Sequence, residues 1–194
     1  MPPEEVFPLD QDHYGGPAAN DALAALARIG NQVRVIEGNV MQVSLPNASV
    51  EAVISQEAFL HVPDKARALT EAHRILKPGG RLAFTDWIAH SALSPADAEL
   101  MWQGMAVTNL YDIAAYRVVI ENAGFAVTSV DDLTAEWAET LKVRLAMYIK
   151  LRAETQAAGT VSGHDAFYES YVRFVALVSE GALGGGRYSA VKPP

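Results

Sequence analysis

Six side chains with polar or aromatic chemistry sit just beyond apolar, strand-like runs. Gln56 and Glu57 follow E-A-V-I-S (Glu51–Ser55), and His61 comes four residues later. Asp86 and Trp87 close R-L-A-F-T-D-W (Arg81–Trp87), and Asn39 follows V-R-V-I (Val33–Ile36) by way of Glu37-Gly38. An imidazole exchanges protons near neutral pH, and a carboxylate can orient a proton acceptor or stabilise a cation. Open α/β sheets bind ligands at the carboxyl ends of their strands, so the pattern places these six residues around one crevice. Each also has a plainer reading. His61 can be a structural hydrogen-bond former, Asp86 a cap for the next turn, and Trp87 a core residue.

The elements that must position them read as follows. Residues 1–16 form a Pro- and Gly-punctuated arm, and Pro17 to Ile29 has helical apolar spacing with Gly30 as its C-cap. The strand Val33–Ile36 comes next, then a turn at Pro46–Ser49 and a buried strand at Glu51–Ser55. Pro63 to Leu76 is predicted helical, with Ala66, Leu69, Ala72, His73, Ile75 and Leu76 on one face, and Pro78-Gly79-Gly80 stops it. The strand Arg81–Trp87 follows.

Ser94-Pro95 opens a helix to about Thr108, and Asp112 caps a second, ended by Gly124. Phe125–Val130 reads as a strand. Asp132–Ala158 and His164–Leu183 read as long helices, with Asp131-Asp132 as a cap. Gly184-Gly185-Gly186 reads as a turn into a last strand ending near Lys192; with no helix after it, it is not a phosphate loop. Strands alternating with helices give an α/β sheet in one domain spanning 1–194, parallel at first and with an antiparallel pair at the end.

Composition narrows the function classes. The 194 residues suit one domain with a real core; a net charge of −8 and the absence of any basic run argue against a nucleic-acid surface. There is no cysteine and the five histidines are scattered, which removes thiol nucleophiles, disulfides and cysteine-based metal sites; no metal site is assigned. No run has the length of a membrane span and the N-terminus has no signal-peptide pattern, so the expectation is a cytoplasmic protein with no membrane or nucleic-acid partner.

The run Ser55–Trp87 carries more than its residue types. Its L-H-V-P-D-K, R-I-L-K-P-G-G-R-L and T-D-W blocks, together with E-G-N-V (Glu37–Val40) and N-A-G-F (Asn122–Phe125), resemble class I S-adenosylmethionine-dependent methyltransferases. The likeness is to the small-molecule "type 11" group that includes sarcosine/dimethylglycine methyltransferases. The arm D-Q-D-H-Y-G-G, with Tyr14, looks like the segment that folds over the cofactor there.

The resemblance implies a Rossmann-like sheet with added C-terminal helices, S-adenosylmethionine as cofactor, and methyl transfer to an O or N nucleophile of a small molecule. It puts Asn39 and Val40 at the adenine and Ser55, Gln56, Glu57 and Ala58 beneath the methionine part. It offers His61 and Asp86 as general base and its partner, and Trp87, Trp102, Met105 and Tyr14 as substrate contacts. The helices at 94–110 and 132–183 would form the lid and pocket wall, with Tyr111, Tyr148, Tyr168 and Tyr171 as further lining. Aromatic and Met residues at such spacing, Met101 among them, equally read as core. His73 and His164 are read as structural or surface residues.

One part of the family pattern has no counterpart. A G-x-G-x-G loop after a first strand is absent, and Gly30 leads directly into Asn31-Gln32-Val33, which resembles the start of the third strand. About 50–60 residues, two strand–helix units, are lacking at that junction. Three readings stand: sequence is absent from this chain, Val33–Ile36 moves into the central place, or two chains complete each other's sheet as a homodimer. The alternative function is a degenerate methyltransferase fold without methyl transfer, acting as a binding module or a cyclase-type enzyme.

Overall fold

A computed structural model describes residues 37–157 and 165–194. The helix at 17–29, the strand at 33–36, the Gly30/Asn31 junction, Tyr14 and His164 lie outside the described residues.

Within them the chain runs β1 (Val50–Gln56), a single 3-10 turn (Phe59–His61), α1 (Lys65–Ile75), β2 (Leu76–Ala89), α2 (Pro95–Met105), α3 (Ile113–Asn122), β3 (Ala126–Asp132), α4 (Thr134–Ala157), α5 (Asp165–Ser179) and β4 (Leu183–Val191). The sheet order is β1-β2-β4-β3; β1 and β2 are parallel, whereas β4 lies antiparallel between β2 and β3. The mixed α/β class and the parallel-then-antiparallel pairing expected from the sequence are therefore present.

Local chemistry sets the boundaries. The Asp64 carboxylate accepts from the Arg67 amide and starts α1, Ser94 does so for α2 with Pro95 at its first position, and Asp112 for α3. Asp132 Oδ1 accepts the Thr134 amide at the head of α4.

Two boundaries differ from the sequence reading. Pro78-Gly79-Gly80 lies within β2 rather than between helix and strand, because Gly79 N–H and Gly80 C=O pair with Lys192 beyond β4 and the chain irregularity is absorbed opposite Val50–Ala52. Gly184-Gly185-Gly186 belongs to β4 and pairs with Asp86, Trp87 and Ile88. On α1 the buried face is Lys65, Ala68, Leu69, Ala72 and Ile75, a rotation away from the expected Ala66.

β2 divides two cores by its alternation. Leu82, Phe84 and Ile88 face α1 and α3 with Leu69, Tyr116 and Tyr188, while Trp87 faces α4 and α5 with Trp137, Leu141 and Phe174. Phe84 stacks on Tyr188 with centroids 4.7 Å apart, and Trp87 stacks on Phe174 at 3.8 Å. Aromatic pairs of this kind contribute about 0.5–1.5 kcal/mol beyond their buried area.

Candidate active site at the carboxyl end of the parallel strands

The site begins where β1 ends. Glu57 takes a positive φ of 48°, an uncommon conformation for a residue with a side chain, and its amide donates to Thr85 C=O at 2.8 Å. That bond ties the β1 exit to β2 and turns the Glu57 side chain into a cavity of about 630 Å³. Backbone strain of this sort persists where the surroundings over-determine it, and it concentrates at functional sites.

His61 ends the 3-10 turn and lines the same cavity. Its Nδ1 lies 3.1 Å from Ala106 C=O. A carbonyl oxygen only accepts, so this contact assigns the proton to Nδ1 and leaves the Nε2 lone pair of the neutral ring to take a proton. The turn itself is fixed from two sides. Leu60 C=O accepts from the Thr108 amide and hydroxyl, each at 2.9 Å, and the Leu60 amide donates to Asp86 Oδ1 at 2.9 Å.

Asp86 itself does not reach the cavity. It is fully buried on the α1/α3 face, where Oδ2 pairs with Lys65 Nζ at 2.9 Å and accepts from the Tyr116 hydroxyl. Burial pushes the Asp86 carboxyl above its usual range against the pull of Lys65, draws the Lys65 ammonium down, and raises the Tyr116 phenol well up. The sequence expectation of His61 and Asp86 side by side in one cleft is corrected: Asp86 meets the His61 turn through the Leu60 amide. Lys65 and Tyr116 were not foreseen, since a lysine early in an amphipathic helix reads as solvated.

The other expected site residues divide. Trp87, Met105, Tyr148 and Tyr171 line the cavity with Glu57 and His61. Trp102 is exposed and lines a separate hollow of about 530 Å³ with Ala89, Pro95 and Leu110. Tyr111 packs against Tyr116 in the α1/α3 core, and Tyr168 packs on Tyr148 beneath Arg152. Leu60, Arg144, Met147, Leu151 and Phe167 complete the lining and were missed. The i, i+4 spacing of Met147 and Leu151 was the available signal.

Where the family resemblance puts the adenine, Asn39 turns the chain: its Oδ1 accepts the Met41 amide and its C=O the Gln42 amide, each at 2.9 Å. Val40 beside it is 45% exposed. Ser55 lies opposite Phe84, and Gln56 opposite Thr85, so alternation sends them to opposite faces of the sheet. Ala58 is exposed at the turn. The Gln56 amide nitrogen is buried and has no hydrogen-bond partner among the described residues. Such an orphaned donor at the carboxyl end of a parallel strand fits a ligand acceptor.

Comparison with known proteins agrees with this geometry. The family model described as "Methyltransferase domain" (Methyltransf_11) matches residues 5–84. Dimethylglycine N-methyltransferase of Parasynechococcus marenigrum is 30% identical over 131 residues, covering 67% of this chain and 44% of that protein. Sterol 24-C-methyltransferase of Yarrowia lipolytica is 29% identical over 116 residues, covering 57% and 30%. Both matches span less than half the length of the curated relative.

Among solved structures, phosphoethanolamine N-methyltransferase 2 of Haemonchus contortus, bound to phosphomonomethylethanolamine and S-adenosylhomocysteine, superposes with a TM-score of 0.68 at 21% identity, covering 80% of this chain and 36% of that one. With its strand-end crevice and its matched segments, the chain is similar to S-adenosylmethionine-dependent methyltransferases, and its residues 5–84 match the type 11 methyltransferase domain.

Proposed function

We propose that the protein transfers a methyl group from S-adenosylmethionine to an oxygen or nitrogen nucleophile of a small molecule. The observation that carries this reading is the shared cavity of His61 and Glu57 at the end of β1, with the His61 ring oriented by Ala106 C=O so that Nε2 is the proton acceptor.

The residues toward the cofactor fit in part. The orphaned Gln56 amide offers a donor, the strained Glu57 backbone sets the floor, and Asn39 with Val40 stands beyond it. S-adenosylmethionine supplies, when bound, a methyl group already activated as a sulfonium. The chain's own work is alignment, proton removal and exclusion of water. His61 Nε2 takes the nucleophile's proton, and Trp87, Tyr148 and Tyr171 wall the acceptor from solvent. Asp86 is a positioning residue that keeps the His61 turn in register.

Titration calorimetry with S-adenosylhomocysteine tests the reading. Binding at one site per functional unit is expected, with Gln56→Leu weakening it about 10- to 100-fold, as for loss of a hydrogen bond to a charged group. Heat no different from buffer at millimolar ligand would leave the fold as a binding module without methyl transfer. Sedimentation of the same samples settles whether a homodimer forms that unit.

A further inference from the structure

The cavity is graded along its depth, and the gradient follows from how α4 and α5 leave the sheet. α4 starts against β4: the Leu133 amide donates to Gly185 C=O at 2.7 Å, and the Thr134 and Trp137 side chains lie on Gly184 and Gly185. Leu141 is still fully buried. From there α4 carries Arg144, Met147, Tyr148 and Leu151 along the cavity wall, away from the sheet. α5 returns in the opposite sense, with Phe167 outermost, Tyr171 next and Phe174 stacked on Trp87 at the sheet.

The end of the cavity at the sheet therefore holds Glu57, His61 and Trp87, its far end holds Met147, Leu151 and Phe167, and Arg144 lies on the α4 wall before Met147. Those three outer side chains are 65%, 53% and 38% exposed. An exposed apolar cluster at the far end of a cavity whose Glu57 and His61 stand at the sheet end is a ligand signature rather than a folding one. From Arg144 to Leu151 the wall rises about 10 Å at 1.5 Å per residue.

We infer that the acceptor is an amphiphile bound head-in and tail-out: a hydroxyl or amine at His61, and an alkyl or prenyl chain running between α4 and α5 past Leu151 and Phe167. This rests on the methyl-transfer reading for the role of the head group alone. A small, wholly polar acceptor leaves Met147, Leu151 and Phe167 in water, at a cost in exposed apolar surface and with no gain in affinity.

A homologous series of para-alkylphenols, from methyl to octyl, tests it by titration calorimetry in the absence of cofactor. The dissociation constant is expected to fall about three- to fourfold per methylene until the chain passes the rim, then to level off. Met147→Glu and Leu151→Glu, both at exposed positions and so without effect on folding, should weaken the octyl member at least tenfold and leave the methyl member unchanged. A dissociation constant independent of chain length, or an equal loss for short and long members in the variants, overturns the inference. A flat series in a protein that binds S-adenosylhomocysteine defeats the tail channel alone. A steep series in a protein that ignores the cofactor defeats methyl transfer alone.

Discussion

Asp86 and Trp87 are adjacent in sequence and stand on opposite faces of the sheet: the Asp86 carboxylate meets Lys65 at 2.9 Å on the α1/α3 side, and the Trp87 indole stacks on Phe174 on the α4/α5 side. The period of two in a strand makes this unavoidable. T-D-W therefore supplies two devices rather than one site. Trp87 walls the cavity, while Asp86 reaches His61 only through the Leu60 amide, 26 residues earlier in the chain. A carboxylate in that place is held by charge, and the charge has to be matched in the dry interior.

The Lys65–Asp86 pair should accordingly show strong coupling. Asp86→Asn keeps an acceptor for the Leu60 amide but isolates the Lys65 ammonium, at a cost of about 3–5 kcal/mol. Lys65→Met strands the carboxylate and costs a comparable amount. Combining Lys65→Met with Asp86→Leu removes both charges and should lose less than either single change. Urea denaturation of the three variants is the measurement, and additive losses would show that the pair is not the unit proposed.

His61 makes the opposite prediction. It is exposed and packs little, so His61→Gln should change stability by no more than about 0.5 kcal/mol. Methyl transfer to any acceptor that the unaltered protein turns over should fall about 10²- to 10⁴-fold in kcat. Comparable turnover in the variant would remove His61 from the chemistry. Asp86→Leu, by contrast, should move KM and the thermal midpoint together, since it removes the acceptor of the Leu60 amide and loosens the turn without touching the acceptor substrate.

How much of this was legible in the sequence depended on whether neighbours along the chain or neighbours in space set the outcome. Caps were readable because they are local: Ser94 and Asp112 each act within three residues, as does Asp64, which the sequence reading passed over. The family blocks of Ser55–Trp87 were readable and placed His61 and Glu57 at the β1 exit. Burial of Lys65 was not readable, because its reason is Asp86, 21 residues away, and Tyr116, 51 residues away. The same limit hid which aliphatic side chains of α4 face the cavity. Met147 and Leu151 share a face of α4, but only the return of α5 makes that face a wall.

His73 gives the fold a pH dependence of definite sign. Partial burial against Phe125 and Gly124, then the nearby Lys192 ammonium, hold its pKa below the usual 6.5. The unfolded chain takes up the proton near pH 6.5 and the folded chain resists it until lower pH. Stability is therefore intact above about pH 6.5 and is lost as the pH falls from there through the folded value. His73→Gln should show a smaller drop in thermal midpoint between about pH 7.5 and about pH 5.5 than the unaltered protein. An equal drop in both would place the acid sensitivity elsewhere.

The glycines of β4 make the last case, and one where sequence and structure assign different reasons to the same residues. Gly184-Gly185-Gly186 looks like turn chemistry, yet all three are extended members of a strand paired with β2 and β3. None of them is among the positive-φ glycines, so conformational freedom is not what the positions require. Space is: a Cβ at Gly184 would strike the Thr134 side chain, and one at Gly185 the Trp137 indole. Trp137 is 2% exposed within the core beneath the cavity, so it has no free volume into which to retreat. Gly185→Ala should cost about 1–3 kcal/mol by overpacking. Gly38→Ala is the control, because no described residue lies within 4 Å of its added methyl, and it should be neutral to within about 0.5 kcal/mol. The cavity lies over Trp87, the residue opposite Gly185, so the Gly185 variant should also weaken octylphenol binding where the Gly38 variant does not. Equal stability of the two variants would mean that α4 seats on β4 more loosely than the packing of Trp137 implies.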